Sequence, residues 1–344
     1  NSRYVYEELT EYLGRLSSTL PASLAVGFLV NSGSEANELA VRLARSYTGN
    51  HDMAVIEGAY HGHTGMLIDL SPYKFRGPGG RGSPEPWVHV LPIPDTYRRP
   101  TIDYSAEARE GMKQAGPLAG LLIESMLSCA GQVPLPPGYF PEVASAVRNQ
   151  GGLLIADEVQ VGFGRVGTHM WAFEESGVTP DIVVMGKPIG NGHPMAAVFT
   201  TPEIASSFGG MEFFSTFGGN PVSCAIGMAV MDVIEKDDLQ IRARNLGFRF
   251  IDGLNDLKDS HEIIGDVRGR GLFIGIEMVV NRETMKPATN ESSLLVEKMR
   301  DKEVLLSTDG PLNNVLKIKP PMVISERDVD ETLSKLDETL SEIV

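Results

Sequence analysis

The 344-residue sequence predicts an α/β protein, with a large domain over 1–245 built on a mostly parallel sheet and a smaller C-terminal α/β domain over 246–344. Three observations carry this expectation. Short apolar runs alternate with stretches of helical periodicity, the pattern of a parallel sheet covered on both faces. The texture of the chain changes after residue 245. The length also exceeds the roughly 100–200 residues that one domain usually holds.

The elements follow in order. Over 5–16, Val5, Leu9, Tyr12, Leu13 and Leu16 fall on one helical face. Phe28–Val30 is a short apolar run. The helix after it turns Ala36, Leu39, Ala40, Leu43, Ala44 and Tyr47 inward. Met53–Ile56, Leu121–Ile123, Leu153–Ala156, Ile182–Val184 and Ala197–Phe199 are further strands, with helices at 138–149 and 222–235. The segment 76–117 is rich in Gly and Pro and reads as a long surface excursion that either lines the site or decorates the surface. Gly271–Met278 is an apolar strand. Pro320-Pro321 makes 317–324 an edge strand or a loop. Ser325 and Asp328 form a capping box for a last helix that buries Val329, Leu333, Leu336, Leu340 and Ile343.

Composition narrows the function. A formal net charge of −15 works against nucleic acid and anionic membranes as partners, so an anionic ligand needs local donors. No run is long and apolar enough for a membrane span. Two cysteines, Cys129 and Cys224, imply no disulfide framework and a reducing compartment, the cytoplasm by default or mitochondria after loss of a transit segment. The start Asn1-Ser2-Arg3 has no Met and no signal-peptide pattern, and reads as a fragment or a processed end.

Four motifs carry chemistry. Asn31-Ser32-Gly33-Ser34-Glu35 opens a helix with small residues, either a phosphate site or a plain cap. Asp157-Glu158-Val159-Gln160 follows a buried strand at the carboxyl edge where open α/β sheets bind ligands, or caps a loop there. Gly186-Lys187-Pro188 puts a lysine directly after an apolar strand, which suits Schiff-base chemistry or a plain exposed loop. Thr216 precedes the helix start Asn220-Pro221 and either donates to a phosphate or makes a turn.

Taken together and in this order, the motifs resemble the class III aminotransferases, fold-type I enzymes that use pyridoxal 5'-phosphate (PLP). The resemblance runs over essentially the whole chain. It implies that the cofactor phosphate sits on the helix start at Ser32, Gly33 and Ser34. Tyr60 of Tyr60-His61-Gly62 stacks on the pyridine ring, and His61 belongs to the same set of cofactor contacts. Glu124 supports the site, Asp157 partners the ring nitrogen, Val159 packs under the ring and Gln160 lies near the phenolic oxygen. Lys187 holds the cofactor and acts with Asp157 in catalysis. Thr216 reaches the cofactor of a neighbouring subunit, so a homodimer is expected.

Finer features resemble the phospholyase branch of that family, which acts on O-phosphoethanolamine or 5-phosphohydroxylysine. They are Ile155–Arg165, the run from Met185 to Pro194, Gly310-Pro311 and Leu316–Pro321. O-phosphoethanolamine would give acetaldehyde, ammonia and phosphate. Class III aminotransferases place an Arg shortly before the paired prolines to clamp a carboxylate, and here Lys317 stands there, a poorer fork. Candidates for the substrate phosphate are Arg165, His193, Lys317 and Lys74, with His193 read as a brace and Arg268 and Arg270 as structural. The alternatives are an aminotransferase of alanine–glyoxylate or ω-amino type, or an impaired, truncated homologue lacking the family's N-terminal segment.

Overall fold

The computed structural model describes residues 3–209 and 213–343. Its first layer is a seven-stranded sheet of β1 (Val26–Val30), β2 (Asp52–Ile56), β3 (Val88–Leu91), β4 (Leu118–Glu124), β5 (Leu153–Asp157), β6 (Ile182–Met185) and β7 (Ala196–Thr200). The order is β1-β7-β6-β5-β4-β2-β3. Only β7 runs against its neighbours; β6-β5-β4-β2-β3 are parallel. Strands β4 to β7 are buried along their full length, because helices cover both faces.

The two-residue period of a strand sends alternate side chains to opposite faces. Val55, Leu122, Ile155 and Val184 join one apolar cluster with Ala36, Leu39, Ala40 and Leu43 of α2 (Gly33–Thr48). Ala54, Leu121, Leu154 and Val183 join the other. That second cluster packs beneath Tyr12 and Leu16 of α1 (Glu7–Ser18), Met112 of α3 (Tyr104–Ala115), Val143 of α4 (Tyr139–Asn149) and Met231 of α5 (Pro221–Lys236). The same parity carries past the strand ends. Glu124 and Asp157, paired in register, fall on the α2 face. Glu158 falls on the other, where its carboxylate accepts the backbone N–H groups of Ala172 and Phe173, both at 2.9 Å.

The second layer is antiparallel: β8 (Ile264–Arg270), β9 (Phe273–Asn281), β10 (Lys286–Pro287), β11 (Ser307–Asp309) and β12 (Val315–Ile318), ordered β8-β9-β12-β11 with β10 paired to β9. Residues of α6 (Leu239–Ser260), α7 (Thr289–Asp301) and α8 (Glu326–Ile343) complete its apolar cluster. The expected division at 245/246 lies inside α6, and this cluster starts at Ala243. A buried ion cluster ties the layers together. Glu277 of β9 pairs with Arg98 at 2.5 Å and with Arg268 at 2.7 Å, and Arg268 donates to the Gly131 carbonyl at 2.8 Å.

Some expectations need correction. Val5 lies before α1 and is 84% exposed. Tyr47 stays at the surface, where its hydroxyl donates to Glu203 at 2.7 Å, since a polar tip at the last turn of α2 gains more there than inside. The 76–117 segment is more than an excursion, because it supplies the edge strand β3 and helix α3. Strand β12 sits inside its sheet between β9 and β11, and the chain leaves the ladder before Pro320, which has no N–H to give. The capping box of α8 forms: Ser325 N–H donates to Asp328 at 2.9 Å and Asp328 N–H to Ser325 Oγ at 3.2 Å.

Candidate active site

The carboxyl ends of β4, β5 and β6 converge on the N-terminus of α2, and a single side chain wedges the junction. A Cβ added to Gly33 would lie 3.2 Å from the Val159 methyls, and one added to Gly186 would lie 3.1 Å from them. Both positions therefore stay bare so that Val159 can sit between them. Ser32 caps α2 through Oγ, which accepts Glu35 N–H at 3.1 Å. The amides of Gly33 and Ser34, first in the helix, are left without intrahelical partners. Ser34 Oγ accepts His63 N–H at 3.3 Å and would be 2.7 Å from a Cβ at Gly62.

Asp157 is the most tightly held group. Its Oδ2 accepts Asn37 Nδ2 at 2.9 Å and faces His61 Nδ1 at 2.8 Å, while Oδ1 accepts Val159 N–H at 3.0 Å. Asn37 also donates to the His61 carbonyl at 2.9 Å. His61 Nε2 is buried with no partner among the described residues. Glu124 accepts Ser128 N–H at 3.1 Å and the Ser128 hydroxyl, and the Tyr60 amide reaches it at 3.5 Å. Burial pushes the Glu124 carboxyl above the ordinary range. The Tyr60 ring meets that of Tyr73 edge-on at 6.2 Å. Gln160 bridges two layers: Nε2 donates to Ser128 Oγ at 3.0 Å and Oε1 accepts Lys319 Nζ at 2.9 Å.

Lys187 follows β6 after Gly186, with φ at +36°, a left-handed conformation costly for a side-chain-bearing residue. Its amine makes no hydrogen bond or ion pair among the described residues. It lines a cavity of about 800 Å³ together with Val159, Gln160, Arg165 and Lys319.

The other candidates have different surroundings. Arg165 Nη1 donates to the carbonyls of Leu272 at 3.1 Å and Pro320 at 3.0 Å. His193 Nε2 lies 2.8 Å from Ser223 Oγ at the start of α5, which makes it a brace. Lys317 is paired with Asp309 at 3.1 Å. Lys74 lies over the Tyr73 and Tyr60 rings, at 5.2 and 5.8 Å from their centroids. Thr216 is exposed and makes no hydrogen bond to the groups above. Sequence reasoning missed Asn37, Ser128 and Lys319. Asn37 was the most legible, an amide on the inward face of an otherwise apolar helix.

Comparisons with known proteins show the family of the chain. The model of the aminotransferase class-III family matches residues 2–340. An alanine–glyoxylate aminotransferase 2-like protein of Drosophila melanogaster is 47% identical, over 100% of this chain and 73% of its own length. Ethanolamine-phosphate phospho-lyase homolog 1 of Caenorhabditis elegans is 43% identical, over 99% and 78%. A solved phospholyase from Arthrobacter in complex with phosphoethanolamine superposes with a TM-score of 0.92 at 39% identity, over 98% of this chain and 82% of that one. The chain belongs to the class III aminotransferase family and is a PLP-dependent enzyme. Its own residues fit that cofactor. They provide free helix amides, two bare glycines against Val159, a buried carboxylate acceptor in Asp157 and a lysine amine without a partner among the described residues. Among the described residues, no helix is long and apolar enough to cross a membrane.

Proposed function

We propose that the protein eliminates phosphate from a small phosphorylated amine, with O-phosphoethanolamine as the substrate of choice. The observation that carries this reading is Lys317. At the position where the family's aminotransferases clamp a carboxylate with Arg, this chain has a lysine whose charge is already engaged by Asp309 at 3.1 Å. A point charge that is already paired makes a poor carboxylate fork.

In this reading the amides of Gly33 and Ser34, with Ser32 capping the same turn, hold the cofactor phosphate. Tyr60 covers one face of the ring, with His61 behind it, and Val159 supports the other. Asp157 accepts from the ring nitrogen, Glu124 steadies the Tyr60 turn and Gln160 faces the phenolic side. Thr216 serves the neighbouring subunit's cofactor in a homodimer. PLP, when bound, supplies an electron sink for the carbon that bears the amine. Lys187 anchors the cofactor and its Nζ moves the proton at that carbon. Breakage of the C–O bond on the next carbon releases phosphate, and addition of water completes the products acetaldehyde and ammonia.

A second reading, transamination between L-alanine and glyoxylate, is favoured by the 47% identity to the Drosophila protein. The test is phosphate and acetaldehyde release from O-phosphoethanolamine by the PLP-loaded protein, with 5-phosphohydroxylysine run alongside. Equimolar phosphate and acetaldehyde are expected. Amino transfer to glyoxylate without phosphate release from either phospho-amine overturns the proposal.

A further inference from the structure

The cavity beside Lys187 has an unusual charge balance. Among the described residues its lining contains three cations, Arg165, Lys187 and Lys319, and no carboxylate, although the chain carries 45 Asp and Glu against 30 Lys and Arg. Two of these cations converge. Arg165 Nη1 is tethered to the carbonyls of Leu272 and Pro320. Lys319, next to Pro320, lies over the ring of Phe273, next to Leu272, at 5.0 Å. Both charges are therefore fixed at one junction between the start of β9 and the end of β12. Neither is in an ion pair among the described residues: Arg165 meets neutral carbonyls and Lys319 meets the neutral Gln160 amide. Arg165 and Lys319 are half-buried; a cation withdrawn from water without a paired counter-charge is costly, and an arriving anion removes that cost.

From this arrangement, and resting on the phospho-lyase reading above, we propose that Arg165 and Lys319 form the subsite that recognises the substrate's phosphate dianion. The other cations considered for this task are already engaged: Lys317 by Asp309, His193 by Ser223, and Lys74 by two tyrosine rings. The charges around Lys319 are Lys317, Asp309 and Glu124, with the Cys129 thiol close by. Burial first, and Lys317 second, hold its ammonium down at about 8, the state of a cation that lacks its anion. Gln160 sets the position of the Lys319 amine from the cofactor side. That leaves the amine oriented before substrate arrives, which limits the ordering cost on binding.

The experiment uses the full, PLP-loaded chain and two probes, 2-aminoethylphosphonate and ethanolamine, titrated against the cofactor absorbance. Lys319→Gln is expected to weaken the phosphonate about ten- to a hundredfold, the range for one charge-assisted hydrogen bond, with ethanolamine binding and cofactor retention unchanged. Arg165→Lys, which keeps the charge but loses the fork, is expected to act in the same direction and serves if a neutral variant at 165 fails to fold. Wild-type phosphonate affinity in both variants overturns the subsite. So does equal weakening of ethanolamine, or loss of cofactor instead of phosphonate, which would assign the cations to the cofactor's own phosphate. Glutarate or β-alanine weakened in place of the phosphonate would assign them to a carboxylate and also overturn it. Phosphate release is measured separately. A wild-type protein that releases none, yet loses phosphonate affinity in the variants, keeps the subsite and sinks the lyase reading. Normal release with indifferent variants does the reverse.

Discussion

Asp157→Asn separates what the carboxylate does for the fold from what it does for the reaction. Asp157 is 4% exposed and its two oxygens meet three N–H groups. An amide can keep its oxygen where Oδ2 stood, serving Asn37 and His61, and then its NH₂ faces the Val159 N–H. The reverse orientation loses two acceptor contacts in place of one, so the first is favoured. One buried N–H loses its acceptor, at about 1–3 kcal/mol. The fold, and the cofactor anchoring proposed for Lys187, are expected to survive such a loss. Turnover does not, because an amide cannot hold a protonated ring nitrogen by charge. A charge-assisted hydrogen bond is worth about 1.5–3 kcal/mol, so the rate falls at least about ten- to a hundredfold. The assay is the single-turnover rate of phosphate release at saturating PLP, with urea unfolding of the cofactor-free protein alongside. An Asp157→Asn protein with the wild-type rate at full cofactor load would falsify the role given to Asp157. A rate loss matched by a stability loss well above about 3 kcal/mol would show that the carboxylate mainly holds the fold.

Other outcomes follow from the same geometry. Lys187→Gly relieves a left-handed residue with φ at +36°, so the cofactor-free variant is expected to match or exceed wild-type stability, within about 1 kcal/mol, while losing turnover and the absorbance of anchored cofactor; a drop beyond that margin in urea unfolding refutes the strain. Glu277→Gln strands two guanidiniums and is expected to cost about 3–5 kcal/mol, read by denaturant unfolding. Burial works against the Glu277 charge, yet Arg268 and Arg98 hold its carboxyl below the ordinary range. A depressed carboxyl gives stability that is full above the ordinary glutamate pKa of about 4.3 and is lost as pH falls through the lowered value. The variant should lack that limb. With Lys319 near 8, substrate affinity should fall above about pH 8 as the ammonium deprotonates, and below about pH 6 as the phosphate monoester dianion takes up a proton and becomes a monoanion. In Lys319→Gln the upper limb of the KM profile should vanish, and its persistence would assign it to another group.

The strand ends were legible because buried parallel strands write themselves as continuous apolar runs, so Asp157 and Lys187 stood out as the first charges after such runs. The cap at Ser32 was legible for the same local reason. Lys319 was not. It lies two residues from Lys317, so an extended chain puts both on one side, and nothing local tells which is neutralised. That depends on Asp309, brought alongside by the pairing of β11 with β12. Asn37 and Ser128 were hidden in the same way, because their partners lie far off in sequence, 120 positions in the case of Asn37 and Asp157. The 76–117 segment misled because its Gly and Pro density masked a four-residue edge strand, too short to announce itself by period.

The wedge of Val159 between Gly33 and Gly186 has a consequence for descent. It belongs to one apolar core, whereas Lys319 hangs from a different sheet and touches that core's motif through a single amide. Mutations that remodel the lysine's neighbourhood can therefore accumulate without loosening the bare glycines or the strand-end carboxylate. A lineage built this way can exchange one substrate charge for another while inheriting its cofactor grip unchanged. Relatives that carry aminotransferase and phospho-lyase names at 47% and 43% identity to one chain are what such separable inheritance would leave behind.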